Sequence, residues 1–448
     1  MNTDRDRLPA ALALALAARG HASLSDAQQA VLDPAAEGRD LVLSARTGSG
    51  KTVAFGLALA PALLGDEAGR APRALVVAPT RELARQAAGE LGWLYGRTAM
   101  RIALCAGGAD PRAERRALRA GCDLAVGSPG RLRDHLARGA LDLSRIEVVV
   151  IDEADDMLDL GFRAELDALL QATPEGRRTL MVSATIGPKV LALAAAYQRD
   201  PLRLEVAGAP ADIRFEAVCV APAEREGAVA NLLRLHEAPG AIVFCARREE
   251  VAALAERLGA RGFRVVALSG ALPQRERDAA LAAMRSGQAR VCVATDLAAR
   301  GLDLPGLDLV VHADPPATPA ALTHRSGRAG RAGQAGRAVL VVPHRLRGRM
   351  QALADRAGVA LDWTPVPGSE AIFARDEARL VAALTGTAAP EAQERAAASR
   401  LLAAHDAERL AVALLRLHRP AARPVELGAF SAPETAARAG RRSPPRRR

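Results

Sequence analysis

The chain alternates between two kinds of segment. Short, mostly apolar runs at 41–43, 74–78, 101–105, 124–126, 148–151 and 180–182 are each followed by ten or more residues of helical character. Strands apolar on both faces belong inside a parallel sheet, because the crossover helices that join parallel neighbours bury both faces. The alternation pauses at Ala207-Gly-Ala-Pro-Ala211, small residues suited to a linker, and restarts at 216–220, 241–244, 264–268, 290–294, 309–312 and 338–342. The pattern predicts an α/β fold of two tandem domains with parallel sheets, about 200 and about 130 residues long. Domain one is expected over 1–206, a linker over 207–213 and domain two over 214–345. From about Arg345 the β signal fades. A short helical extension is expected over 346–420, and a disordered basic tail over 421–448, which ends in RRSPPRRR.

Composition narrows the classes further. Half of the 448 residues are apolar and a quarter are charged, which excludes disorder throughout. No apolar run reaches the roughly 18 residues of a membrane span, so a soluble protein without membrane contact is expected. The formal charge is +10, but five arginines among the last eight residues supply half of it. The remainder is only mildly basic, and its balance alone says little for an anionic partner such as nucleic acid. Five cysteines, none in a CxxC pair, read as small buried hydrophobes in a reducing compartment. Residues 8–18 resemble the apolar core of a signal peptide. Asp4 and Asp6, however, cancel Arg5 and Arg7, so a cytoplasmic first helix is the expectation.

Ala45-Arg-Thr-Gly-Ser-Gly-Lys-Thr52 sits between the run at 41–43 and a helical stretch from Val53. A strand, a glycine loop and a helix in that order make a phosphate-binding loop. Gly48 and Gly50 let backbone N–H groups turn inward, Lys51 supplies a point charge for the β- and γ-phosphates, and the Thr52 hydroxyl can ligate Mg²⁺. Ala45 stands where the general pattern has its first Gly. A plain glycine turn ahead of a helix is the bland alternative. Lysine's rarity argues against it, since only Lys51 and Lys189 interrupt a chain that otherwise uses arginine. Val148-Val-Val-Ile-Asp-Glu-Ala-Asp155 supplies the acidic partner at another strand end. There Asp152 can hold Mg²⁺ through its water shell and Glu153 can deprotonate an attacking water.

The tetrad Asp152-Glu-Ala-Asp155 resembles the signature of the DEAD-box ATP-dependent RNA helicases, and further elements follow in that family's order over residues 20–345. Pro79-Thr-Arg-Glu-Leu-Ala84 is similar to motif Ia, Gly107-Gly108 to the GG doublet, and Ser128-Pro-Gly-Arg131 to motif Ib with Ser for Thr. Ser183-Ala-Thr185 is similar to motif III, Ile242-Val-Phe-Cys245 to motif IV, and Gln274 with Arg277 to the QxxR element. Thr295-Asp-Leu-Ala-Ala-Arg-Gly-Leu-Asp303 resembles motif V, and His324-Arg-Ser-Gly-Arg-Ala-Gly-Arg331 motif VI. Gln28 keeps the family's spacing to the phosphate loop and can read an adenine edge. Leu24 and Ser25 replace the usual Pro-Thr, and no upstream aromatic is found.

The resemblance implies two RecA-like domains that close on ATP and RNA, with ATP and Mg²⁺ as cofactors. Nucleotide contacts would come from Gln28, Ala45, Arg46, Thr47, Gly48, Ser49, Gly50, Lys51, Thr52 and, on the ribose side, Asp303. Arg328 and Arg331, three apart and on one face if helical, would act as arginine fingers. Ser183 and Thr185 would couple phosphate state to domain contact. RNA would be held by its backbone, independently of sequence, through Pro79, Thr80, Arg81, Gly108, Ser128, Gly130, Arg131, Thr295, Asp296 and Arg300. Aromatics are only 2% of the chain, which leaves little for base stacking. The implied activity is RNA-stimulated ATP hydrolysis coupled to local, non-processive unwinding, with ribosomal precursor particles as candidate partners in ribosome assembly or cold adaptation. A homodimer through 346–420 is a further expectation. An ATP-gated RNA clamp and a DNA helicase remain as alternatives, the latter disfavoured by the tetrad and Pro79–Ala84 together.

Overall fold

The structure, a computed structural model, describes residues 8–21, 23–45, 49–64, 70–107, 110–206, 213–270, 272–299, 307–330, 335–385, 391–418, 420 and 422–427. They form two compact units that divide in the 207–212 stretch. The first contains strands β1 (Leu41–Ser44), β2 (Ala74–Val77), β3 (Ile102–Cys105), β4 (Leu124–Gly127), β5 (Val148–Asp152), β6 (Arg178–Ser183) and β7 (Leu202–Glu205). They pair in parallel in the order β3-β4-β2-β5-β6-β1-β7. Successive side chains of one strand enter opposite layers. Leu41, Leu43, Val76, Val150 and Val182 join one core, while Val42, Leu75, Val77, Val149 and Met181 join the other. Two buried faces are why these strands read as unbroken apolar runs.

The second unit contains β8 (Ile213–Val220), β9 (Ala241–Phe244), β10 (Val265–Leu268), β11 (Val291–Ala294), β12 (Leu309–His312), β13 (Gly336–Pro343) and β14 (Asp362–Thr364). Its parallel order, β10-β11-β9-β12-β13-β8-β14, repeats that of the first sheet strand for strand. The expected tandem architecture is therefore present as two sheets of one topology, each covered by helices.

Three details depart from expectation. Of the four edge strands, β7 and β14 carry no apolar run, and Leu-Arg-Leu-Glu or Asp-Trp-Thr suffices for a strand paired on one side only. β14 lies within the expected extension, so the second sheet reaches past the boundary placed at 345 and the extension is not purely helical. Residues 422–427, expected in a disordered tail, pack on the Arg225–His236 helix. Asn231, fully buried, donates through Nδ2 to the Pro367 and Val425 carbonyls, each at 2.9 Å, and accepts the Val425 N–H at 2.7 Å. Arg234, 1% exposed, donates Nε to the Ala422 carbonyl at 2.9 Å and pairs with Asp376 at 2.5 Å. Residues 428–448, the rest of that tail, and the linker residues 207–212 lie outside the described residues.

The Arg347–Arg356 helix buries Met350, Leu353 and Ala354 beside Leu340 and Val342 of β13. The helices Ala392–Ala404 and Ala407–His418 bury none of their residues. All five cysteines are free thiols, and four are buried. Among the described residues no helix is long and apolar enough to cross a membrane.

Candidate active site and nucleic-acid interface

In the first unit the described candidates other than Gln28, which lies on the Asp26–Val31 helix ahead of β1, are at or just past the C-terminal end of a strand, the edge at which parallel α/β sheets bind ligands. Strand order sorts them into two groups. Neighbours β5, β6 and β1 deliver the acidic tetrad, Ser183 and the phosphate loop, whereas neighbours β4 and β2 deliver the described candidates for nucleic acid.

In the phosphate loop, Ala45 directly follows β1 and is buried, its N–H bonded to the Ser183 carbonyl at 3.1 Å. Arg46, Thr47 and Gly48 lie outside the described residues. Gly50 caps the Lys51–Ala58 helix with φ +79°, and a Cβ on it would fall 2.7 Å from the Gln28 amide nitrogen. Glycine is required there on both counts. Gln28 is buried and gives its Oε1 to the Ser25 N–H at 3.0 Å, closing a capping box, while Ser25 Oγ donates to the Ser49 carbonyl at 2.9 Å. The degenerate segment before the loop is thus anchored to it. Thr52 is half-buried in the first turn of the Lys51–Ala58 helix.

Lys51, 7% exposed, donates to Glu153 Oε1 at 2.7 Å. Burial alone would pull its ammonium pKa down, but Glu153, Asp152 and Asp155 outweigh that and raise it. Glu153 adopts φ 51°, ψ 54°, a left-handed conformation that costs of order 1–3 kcal/mol for a side chain other than glycine. The turn ends β5, begins the Ala154–Asp159 helix and aims Glu153 at Lys51. Asp152 is buried, its carboxyl pushed up by burial and then by Glu153, against the opposing pull of Lys51. Its Oδ1 makes no hydrogen bond. A buried carboxylate oxygen without a donor, next to a hydroxyl-bearing phosphate loop, suits a hydrated divalent cation.

Asp155 Oδ2 accepts both the Thr185 N–H at 3.1 Å and its hydroxyl at 2.7 Å. Ser183 Oγ donates to the Thr185 carbonyl at 2.7 Å and accepts the Asp155 N–H at 3.4 Å. Thr185 therefore holds the last carboxylate of the tetrad, while Ser183 bridges the Asp155 backbone N–H and the Thr185 carbonyl.

On the other half of the edge, Thr80 caps the Arg81–Leu94 helix by accepting the Leu83 N–H at 3.2 Å, next to the buried Pro79. Arg81 is exposed, its guanidinium 3.2 Å from where a Cβ on Gly107 would stand. Ser128 and Gly130 open the Pro129–Ala137 helix. Arg131 donates Nε to Glu114 Oε2 at 2.8 Å, and the same carboxylate meets His135 Nε2 at 2.7 Å and the Gly107 N–H at 3.0 Å. Glu114 was missed in the sequence. Its one signal is the spacing to Leu118, which places a carboxylate on a buried helix face. Gly108 lies outside the described residues.

In the second unit Thr295 is buried after β11, and Asp296 receives Arg325 through Nε at 2.5 Å and Nη2 at 2.7 Å. That bidentate pair also went unread. The helical face expected for Arg328 does not form. The Pro319–Ser326 helix stops at Gly327, and Arg328 lies in the turn beyond it, its N–H on the Arg325 carbonyl. Arg331, Arg300 and Asp303 lie outside the described residues.

A phosphate loop after the first strand and carboxylates after the fifth, on the first of two sheets with one strand order, define a tandem RecA-like P-loop protein. The first unit matches the DEAD/DEAH box helicase family model over residues 25–193, and the second the helicase conserved C-terminal domain over 224–333. ATP-dependent RNA helicase DbpA of Escherichia coli (strain K12) is 36% identical over 369 residues, which cover 82% of this chain and 80% of DbpA. The chain belongs to the DEAD-box helicase family. DEAD-box ATP-dependent RNA helicase 53 of Oryza sativa subsp. japonica is 39% identical over 337 residues, 73% of this chain and 55% of that protein. The chain spans about half the length of several such curated relatives. Among solved structures, S. cerevisiae Dbp5 bound to RNA and ADP BeF3 is similar with a TM-score of 0.74 and 26% identity, over 84% of this chain and 98% of that one.

Proposed function

We propose that the protein is an ATP-dependent RNA helicase in which RNA-stimulated ATP hydrolysis drives local, non-processive strand separation. The observation that carries this reading is the pairing of Lys51 with Glu153 beside the unbonded oxygen of Asp152. The loop lysine that follows β1 and the carboxylates at the end of β5 meet across β6, which lies between those strands. Thr52 and Asp152 would hold Mg²⁺, which supplies positive charge to the phosphates in flight. Lys51 leaves Glu153 for the β- and γ-phosphates once nucleotide enters, and Glu153 is then free to orient the attacking water and accept its proton. The clasp of Asp155 by Thr185 carries the phosphate state to Ser183. The roles that the resemblance gives Arg328, Arg331 and Asp303 belong to the same proposal.

RNA is the proposed polynucleotide, supported by the family membership and by candidate backbone-contact residues gathered behind the neighbouring strands β2 and β4. The reading extends to work on ribosomal precursor particles in the cytoplasm. It also includes a homodimer through 346–420, supported by Leu401, Leu402, Leu414 and Leu417 left exposed there. The deciding experiment compares ATP turnover with RNA and with DNA of the same sequence. Several-fold stimulation by RNA and little by DNA is expected, and equal stimulation would overturn the RNA assignment.

A further inference from the structure

The Pro111–Ala120 helix carries charge that the proposed function leaves unused. In Pro-Arg-Ala-Glu-Arg-Arg-Ala-Leu-Arg-Ala, Glu114 and Leu118 are one turn apart and buried. Arg112, Arg116 and Arg119 lie along the exposed side, with Arg115 half-buried between them. None of these four arginines has an ion pair among the described residues. The neighbouring Pro129–Ala137 helix and its cap behave differently: Arg131 is paired with Glu114, Arg133 with Glu165 at 3.0 Å, and Arg138 with Asp134 at 2.6 Å. The two carboxylates nearest the bare arginines in sequence are both engaged, Asp110 with the Arg112 N–H at the cap and Glu114 in the buried cluster.

Position adds to charge. Through Glu114 the helix is bonded to the Gly107 backbone, to Arg131 and to His135, three groups on two segments that carry the proposed RNA contacts. The arginine face is thus fixed to the edge where Arg81, Ser128 and Arg131 would hold the strand. We infer that it is a second RNA-backbone surface, which prolongs the strand's path along the first unit. The inference rests on the RNA reading above. Guanidinium groups grip phosphate oxygens in pairs, and with no aromatic side chain on the helix the grip is blind to sequence.

The test uses the full chain with Arg112, Arg116 and Arg119 all changed to Gln, and a second variant with all three changed to Lys. Binding is measured to single-stranded RNAs of about 10 and about 40 nucleotides, from about 50 to about 200 mM salt. The Gln variant is expected to lose on the order of tenfold in affinity for the longer RNA at low salt. Its salt slope should flatten by about two, the contribution of three phosphate contacts to a single strand. The Lys variant should recover most of the loss. Affinity for the shorter RNA and maximal RNA-stimulated ATP turnover should match the wild type. Wild-type affinity and slope for the longer RNA in the Gln variant would overturn the inference, as would an equal loss at both lengths. A wild-type chain that binds neither RNA would refute the RNA reading itself, a result separable from both.

Discussion

At the scale of single residues, the active edge is a set of charges held close before any phosphate arrives. Lys51 and Glu153 neutralise each other at 2.7 Å, in a pocket where neither is much exposed. Both can be stored buried because each is the other's counter-ion, and under the proposed mechanism both would become available when a phosphate replaces the carboxylate. Glu153→Gln should therefore keep nucleotide binding, since Lys51 loses a competitor, while the hydrolysis rate falls about 10²- to 10⁴-fold with the base removed. Nucleotide titration and single-turnover hydrolysis measure the two effects separately. Retained hydrolysis would exclude Glu153 as the base. Asp152, Glu153 and Lys51 were legible in the sequence because a strand end and a glycine loop announce themselves locally. Glu114 and Arg325 were not, because a paired carboxylate or guanidinium looks like any other surface charge until its partner is in place.

At the scale of elements, the parallel sheets are dense enough that one methyl group matters. Gly127 ends β4, and a Cβ there would overlap the Cys105 carbonyl oxygen of β3 and stand 2.8 Å from Leu132 Cγ. The backbone and the Pro129–Ala137 helix cannot both move away without breaking the β3–β4 ladder. Gly127→Ala is expected to destabilise the first unit by about 1–3 kcal/mol, the usual cost of overpacking, and to loosen the helix that carries Arg131. Chemical denaturation measures it, and an unchanged midpoint would contradict the packing described. The central strands could be read from apolar runs alone. β7 and β14 could not, since a strand with one free edge needs no apolar pattern and is recognised only by its neighbour.

At the scale of the whole molecule, two sheets of identical strand order come from sequence halves that do not look repeated. Beyond the second sheet, the last described helices leave a row of leucines uncovered, which supports self-association. The proposed homodimer predicts concentration-dependent sedimentation toward twice the monomer mass, abolished by Leu402→Glu with Leu414→Glu. A monomer at all accessible concentrations would remove it. The sequence by itself determined the tandem α/β plan, the phosphate loop and the acidic strand end, because each depends on residues within a few positions of one another and on the period of buried strands. Tertiary structure alone decided the rest. It set β14 as the seventh strand of the second sheet, bound Val425 to Asn231 across 194 residues of chain, and turned Glu114 inward so that Arg112, Arg116 and Arg119 face out. Those features depend on which partner occupies the other side of a hydrogen bond, and chain order does not carry that.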